Sequence, residues 1–210
     1  MQISWYGLSC FRIQTKDAAI VIDPFDPSVG IKLPVPSKFT ADLVISSKDS
    51  PAHRHIDGVG GSPFVITTPG EYEVKNTFVY GFPIPAGKGE GSIFRIEAED
   101  LVIAHLGALT KPLENGEIEV LEEADILLVS VGGNGNLTYD SAVTLISEIE
   151  PRIVIPHSYH IKGLKAKADP IEKFLKEFGV KTPETTDRYK ISRKDLPADE
   201  VKVILLNQLS

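Results

Sequence analysis

All five histidines of this chain fall in three short segments, Ser47–His55, His105–Thr110 and Pro156–His160. They are His53, His55, His105, His157 and His160. Each segment follows an apolar, strand-like run. Imidazoles on loops after buried strands hold metals or move protons. The plainer reading is a set of solvated or hydrogen-bonded polar residues. Ser50 and His53 have the types of a nucleophile and its base, but no orienting or oxyanion group is evident beside them. Cys10 sits inside an apolar run and reads as an inert buried thiol. The loop Gly132–Asn136 precedes a helical pattern and could cradle an anion at the helix start, or be an ordinary connection. Glu71 and Glu73 act as acid and base only if they share a face with a cleft.

The elements that must carry these residues are mostly strands. Ile3–Tyr6, Cys10–Thr15 and Ala19–Asp23 are short β-prone runs, with Gly7 and Asp17 at the turns. Proline and glycine from Pro24 to Pro36 mark a surface loop. Asp42–Ser46 is an apolar strand, and Pro63–Thr67, Thr77–Phe82, Ser92–Glu97 and Leu101–Ala104 are further strand candidates. Ala86–Gly91 reads as a flexible turn. Ile126–Val131 and Ile153–Ile155 are buried strands, and Val201–Leu206 closes the chain. Ser141–Ile149 has helical spacing at Val143, Ile146 and Ile149. Pro170–Phe178 is an amphipathic helix with Ile171, Phe174, Leu175 and Phe178 on one face, stopped by Gly179. Strand-rich halves with few helices between them fit a layered α/β sandwich formed by one domain over residues 1–210.

Composition narrows the function. Of 210 residues, 42% are apolar and 24% charged, the balance of an ordinary globular protein. The net charge of −7 comes without a Lys or Arg block, which argues against nucleic acid or an anionic membrane as partner. The opening residues read as a strand rather than a signal peptide, and no run reaches the roughly 20 apolar residues of a membrane span. A single cysteine fits a reducing cytoplasm.

The opening ISWYGLSCFRIQT with the following IVIDPF resembles the first hairpins of metallo-β-lactamase-fold hydrolases. Their usual Gly-His-Ser-Cys-Phe carries Leu8 here. The resemblance extends through ADLVIS, TPGEYEV, HLGAL, VSVGGN and EPRIVIPHSY, and is nearest to the small stand-alone branch that includes ascorbate-6-phosphate lactonase. It implies an αββα four-layer sandwich with a cleft at one edge of two sheets.

That family's chemistry depends on His-x-His-x-Asp-His after the strand matched by ADLVIS. The motif holds two metals that share and activate a hydroxide. The matching residues here are Lys48, Asp49, Ser50, Pro51, Ala52 and His53, so only His53 of the ligands remains. The family's Gly-Asp is Gly107-Ala108, and its last histidine is matched by Ser158. A further histidine is replaced by the stretch Ile84-Pro85-Ala86. Ala52 and Ala108 have no donor atom, and the Lys48 ammonium repels a cation. The resemblance also casts Asp23 as a buried carboxylate propping the metal loop; the alternative is a turn cap before Pro24.

These substitutions imply a family member that has lost its zinc, with no cofactor, and acts as a binding or interaction protein rather than an enzyme. One rival is a hydrolase with a relocated zinc site drawn from His53, His157 and His160 with Asp23, Asp49 or Asp57. Side chains one apart in extended backbone point oppositely, so His157 does not simply replace Ser158. The other rival is a metal-independent hydrolase using Ser50 or His53. The remnant cleft, with His105 among its residues, is expected to survive as a polar pocket centred on Lys48, paired with Asp49, Asp23 or Glu71 or attracting a small anionic ligand. The loop Asp26–Pro36 is expected to expose Val29, Ile31, Leu33 and Val35, tucked against the body or covered in a homo-oligomer.

Overall fold

The computed structural model describes residues 1–86, 89–198 and 200–210. In chain order the strands begin with β1 (Gln2–Gly7), β2 (Cys10–Gln14), β3 (Ala19–Ile22), β4 (Leu43–Ile45) and β5 (Phe64–Ile66). They continue with β6 (Gly70–Val74), β7 (Thr77–Ala86), β8 (Gly89–Ala98) and β9 (Leu101–His105). Helix α1 (Asn115–Glu119), β10 (Ile126–Ser130), α2 (Tyr139–Ile149), β11 (Ile153–His157) and α3 (Ile171–Phe178) follow. The last elements are β12 (Glu184–Thr186), β13 (Tyr189–Lys190) and β14 (Lys202–Leu206).

The strands form two sheets, ordered β13-β1-β2-β3-β4-β5 and β12-β14-β11-β10-β9-β8-β7-β6. The alternation read from sequence is the alternation of burial. Phe11 and Ile13 of β2, Ile20 and Ile22 of β3, and Leu43 and Ile45 of β4 enter the core between the sheets. Cys10, Val21 and Val44, one residue out of phase, face a smaller cluster with Phe25 and Phe39. β10 is buried along its whole length, as a strand covered on both faces requires. Behind it, α2 buries Ala142, Leu145, Ile146 and Ile149 rather than Val143, which lies at the edge of that face.

The αββα class expected from sequence is the observed one, with an irregular layer over the outer face of the first sheet. That layer is the Pro-rich loop, and of the two expected arrangements it takes the one tucked against the body. Ile31 is buried and Val29 and Leu33 pack beside Phe25 and Phe39; of the four apolar residues only Val35 is exposed. Burial of Phe25 pulls the whole loop down onto the sheet.

The PGEYEV segment forms β6, with Tyr72 and Val74 alternating against exposed Glu71 and Glu73. Pro83 and Pro85 fall in β7 beyond its pairing with β6, where no ladder donor is needed. The expected turn over 86–91 is smaller, because Gly89, Glu90 and Gly91 pair in β8 with Ala86, Pro85 and Ile84; Gly87 and Lys88 lie outside the described residues. Among the described residues no helix is long and apolar enough to cross a membrane.

Candidate functional site

Parallel pairing of β3 with β4 and of β9, β10 and β11 brings five strand ends to one rim. Asp23 follows β3, Ser47 lies just past β4, and His105, Ser130 and His157 end β9, β10 and β11. All five side chains are buried. The carboxyl ends of parallel strands are where open α/β sheets gather functional groups.

Asp23 is the hub. Its Oδ1 accepts from the Ser47 backbone N–H at 2.6 Å, and its Oδ2 accepts from Ser47 Oγ at 2.7 Å and from His105 Nε2 at 3.0 Å. A carboxylate only accepts, so His105 carries its proton on Nε2. Burial alone would push the Asp23 carboxyl up. The bond from His105, the nearby His53 and His105 charges and the Ser47 N–H outweigh burial and hold it below the usual carboxylate range. Asp23 and Ser158 both adopt left-handed backbone, with φ of 47° and 57°. Such conformations persist where surrounding contacts hold them. Gly107 explains part of this fit: a Cβ there would stand 2.4 Å from Ser47 Cβ.

His105 and His157 stack with ring centres 5.8 Å apart, and the Phe11 ring meets both edge-on. His157 Nδ1 lies 2.9 Å from Ser158 Oγ. Burial, then the His105 charge, push His157 well below the ordinary histidine range, with only partial opposition from Asp23, so it is neutral at neutral pH. His53 is half-buried above this cluster and is also shifted down, by burial first and then by the His105 and Lys48 charges against Asp23. Its Nδ1 lies 2.7 Å from Ser50 Oγ.

The remaining sequence candidates divide clearly. Ala108 and Ser158 are buried at the rim, and Lys48 and Ala52 are half-buried there. Asp49 is exposed and pairs with Arg54 at 3.1 Å. Asp57 is exposed, as are Glu71 and Glu73 on β6. His160 is exposed, and its backbone N–H donates to Asp169. The relocated set of His53, His157 and His160 is therefore not assembled, because the backbone turns outward after the left-handed Ser158. Among the described residues no three His, Cys, Asp or Glu side chains come together as a metal group. A polar cavity of about 480 Å³ lies beside the His53-bonded Ser50, walled by Asp26, Ser28, Asp49, Ser50, Pro51, Arg54 and His55. Cys10 is fully buried, and burial pushes its thiol well up, which fits an inert role. Ser47 and Ser130 were not singled out as site residues by sequence; a serine at the end of an apolar strand, as in ADLVISS and ILLVS, was the available signal.

Two stacked sheets with a polar cluster at their shared rim define a metallo-hydrolase scaffold. Residues 2–158 match the model of the beta-lactamase superfamily domain, and the chain belongs to that superfamily. UPF0173 proteins of Pyrococcus abyssi and Pyrococcus furiosus are each 25% identical to it, over 193 and 210 residues. Those matches cover 78% and 84% of this chain and 85% and 90% of the relatives. A Thermotoga maritima crystal structure, provisionally a Zn-dependent hydrolase of the metallo-beta-lactamase superfamily, shares 31% identity with a TM-score of 0.82. That likeness covers 98% of this chain and 97% of the other. A metallo hydrolase from Ignicoccus hospitalis shares the fold at 17% identity and a TM-score of 0.64, over 91% of this chain and 99% of its own.

At the positions that the resemblance assigns to the metal ligands stand Lys48, Ser50, Ala52, Ala108 and Ser158, which offer an ammonium, two hydroxyls and two methyl groups, a poor donor set for a divalent ion.

Proposed function

We propose that this chain is a superfamily member without the dinuclear metal site, acting as a binding protein rather than as a metal-dependent hydrolase. One observation carries the reading. Asp23, a carboxylate beside the metal position, is fully engaged by Ser47 and His105, leaving the rim electrically self-contained without a dication. The adjoining cavity is lined by the Ser28 and Ser50 hydroxyls, the Arg54–Asp49 pair, Asp26 and His55, which suits a small polar ligand. Elemental analysis of protein purified without chelators tests this. Far less than one zinc, iron or manganese per chain is expected; a near-stoichiometric metal lost in His53→Ala would refute it.

A second reading rests on the 2.7 Å contact between Ser50 Oγ and His53 Nδ1. His53 is shifted down, so it is a neutral base at neutral pH, and Ser50 opens onto the cavity. This pair would act on small acyl esters without metal. Labelling of Ser50 by a fluorophosphonate in the presence of EDTA, lost in His53→Gln, is its expected signature; an unlabelled protein excludes it.

A further inference from the structure

We propose that the open edge of the first sheet, strand β5 (Phe64–Ile66), is where two copies of this chain join, antiparallel about a two-fold axis through Val65. β5 ends its sheet and is bonded to β4 on one side only. An edge strand presents a row of N–H and C=O groups to any other strand, and folds commonly blunt such edges with charges, above all Lys. β5 has no such guard. Phe64 is 51% and Val65 38% exposed, and residues 58–70 hold no charged side chain in a chain that is 24% charged. The ring of Phe64 lies 6.3 Å from that of Tyr72, so the bare edge runs on to the neighbouring edge of the second sheet. There β6 carries exposed Glu71 and Glu73, the guard that β5 lacks.

The main chain of β5 fits a copy of itself. Phe64 donates its N–H to the Asp42 carbonyl, and the Ile66 carbonyl accepts from the Ser46 N–H, both towards β4. Alternate residues of a strand turn their N–H and C=O to opposite sides, so those of Val65 and Thr67, with the C=O of Pro63, face the open edge. In an antiparallel pair centred on Val65, the two Val65 residues exchange both bonds. Each Thr67 N–H then donates to the C=O of the partner's Pro63. Pro63 has no N–H to leave unmet there, and its ring ends the ladder. Phe64, on the same face as Ile66, lies beside the partner's Ile66 and closes apolar surface over the open end of the sandwich.

Charge selects the occupant. A two-fold axis sets an edge against its own copy, and like charges directly opposite are destabilising, so self-pairing needs a neutral edge. Residues 58–70 supply one. A partner of another sequence is chosen by complementary charge, which β5 does not offer. Three strand residues make a small interface, so the dimer forms reversibly as concentration rises, and the two-fold closes it at two copies.

Sedimentation velocity over a concentration series tests this on the whole chain. Wild type is expected to pass reversibly from monomer to dimer and no further. Val65→Lys, which changes an exposed side chain, is expected to stay monomeric throughout with an unchanged circular dichroism spectrum. Val35→Lys, on the exposed valine of the Pro-rich loop, is expected to dimerise as wild type does. In Val65→Cys the new thiols meet across the axis, because Cα atoms of a hydrogen-bonded pair stand about 5.5 Å apart, within the roughly 4.4–6.8 Å that a disulfide spans. Mild oxidation is expected to link Val65→Cys, and not Val35→Cys, into a dimer; Cys10 is buried and takes no part. That result decides the matter if Val65→Lys does not fold. A wild type that stays monomeric leaves the edge to a partner of another sequence and overturns the self-pairing. So do mass that grows beyond two copies, a dimer that persists in folded Val65→Lys or is lost in Val35→Lys, or Val65→Cys that oxidation leaves unlinked.

Discussion

His105 Nε2 stands 3.0 Å from Asp23 Oδ2, and both side chains are wholly buried, joined across 82 residues of chain from opposite sheets. The bond ties the two halves of the fold at the rim. Changing Asp23 to Asn puts an amide N–H₂ where donors already point. Breaking a buried pair from one side costs about 3–5 kcal/mol. Asp23→Asn is therefore expected to lower urea stability by that order, with His105→Ala close behind. A loss below about 1 kcal/mol would show that Asp23 does not hold the sheets together.

Acid should weaken the protein in two stages. His157 and His53 are shifted below the ordinary histidine value near 6.5, so the unfolded chain binds their protons first. Stability then falls as pH drops below about 6.5, by up to roughly 1.4 kcal/mol per pH unit for each proton. Asp23 is shifted down, so its contribution is full above about pH 3.9 and lost as pH falls through its folded value. Burial acts most on His157, followed by the His105 charge, with Asp23 and a backbone hydrogen bond at Leu128 opposing and the His53 charge adding to the downward shift. Urea unfolding between pH 7 and pH 5 reads the first stage, and His157→Gln should flatten its slope. Wild-type stability that stays level over that range contradicts this.

Gly107→Ala should disturb the rim from beneath. Its φ is 51°, and the added methyl would meet Ser47 Cβ at 2.4 Å and Oγ at 2.6 Å. Ser47 would have to move, taking with it both of its hydrogen bonds to Asp23. Left-handed strain and the displaced side chain together should cost about 2–4 kcal/mol. Ser47→Gly in the same chain removes the clash but also the hydroxyl bond, so it should recover only part of the loss. Full recovery in the double variant would mean that the hydroxyl contributes nothing.

The strand pattern was legible because burial alternates in phase with residue type in β2, β3 and β4. The three histidine segments were legible because each follows an apolar run. Which histidines meet was not legible. His105 and His157 are brought together by the register of β9, β10 and β11, while His160, three residues on, turns to solvent. That Ala52 and Ala108 carry no donor atom was readable from residue type; that they stand at ligand positions came only with the resemblance. That the Pro-rich loop tucks against the body was one of two expected outcomes; its partners Phe25 and Phe39 were not legible, because they meet only once the loop folds back over the sheet. The short strands β12 and β13 carry too few residues for any period to show.

Chelation should leave this fold untouched. A structural metal in a small domain contributes about 10–16 kcal/mol of apparent binding energy, and its removal usually lowers Tm sharply. Here Asp23 at the rim has its hydrogen bonds from Ser47 and His105, and Ala52 and Ala108 carry no donor atom. The rim is anchored by Asp23, Ser47 and His105, and the core behind it by Phe11, Ile126, Leu128 and Ile155, all fully buried. The Tm of protein purified without chelators should therefore be the same before and after dialysis against EDTA, and added zinc should not raise it. A fall on EDTA treatment that zinc restores, and that His53→Ala abolishes, would show a dication bound at this rim and would return the chain to the metal-dependent hydrolases it resembles.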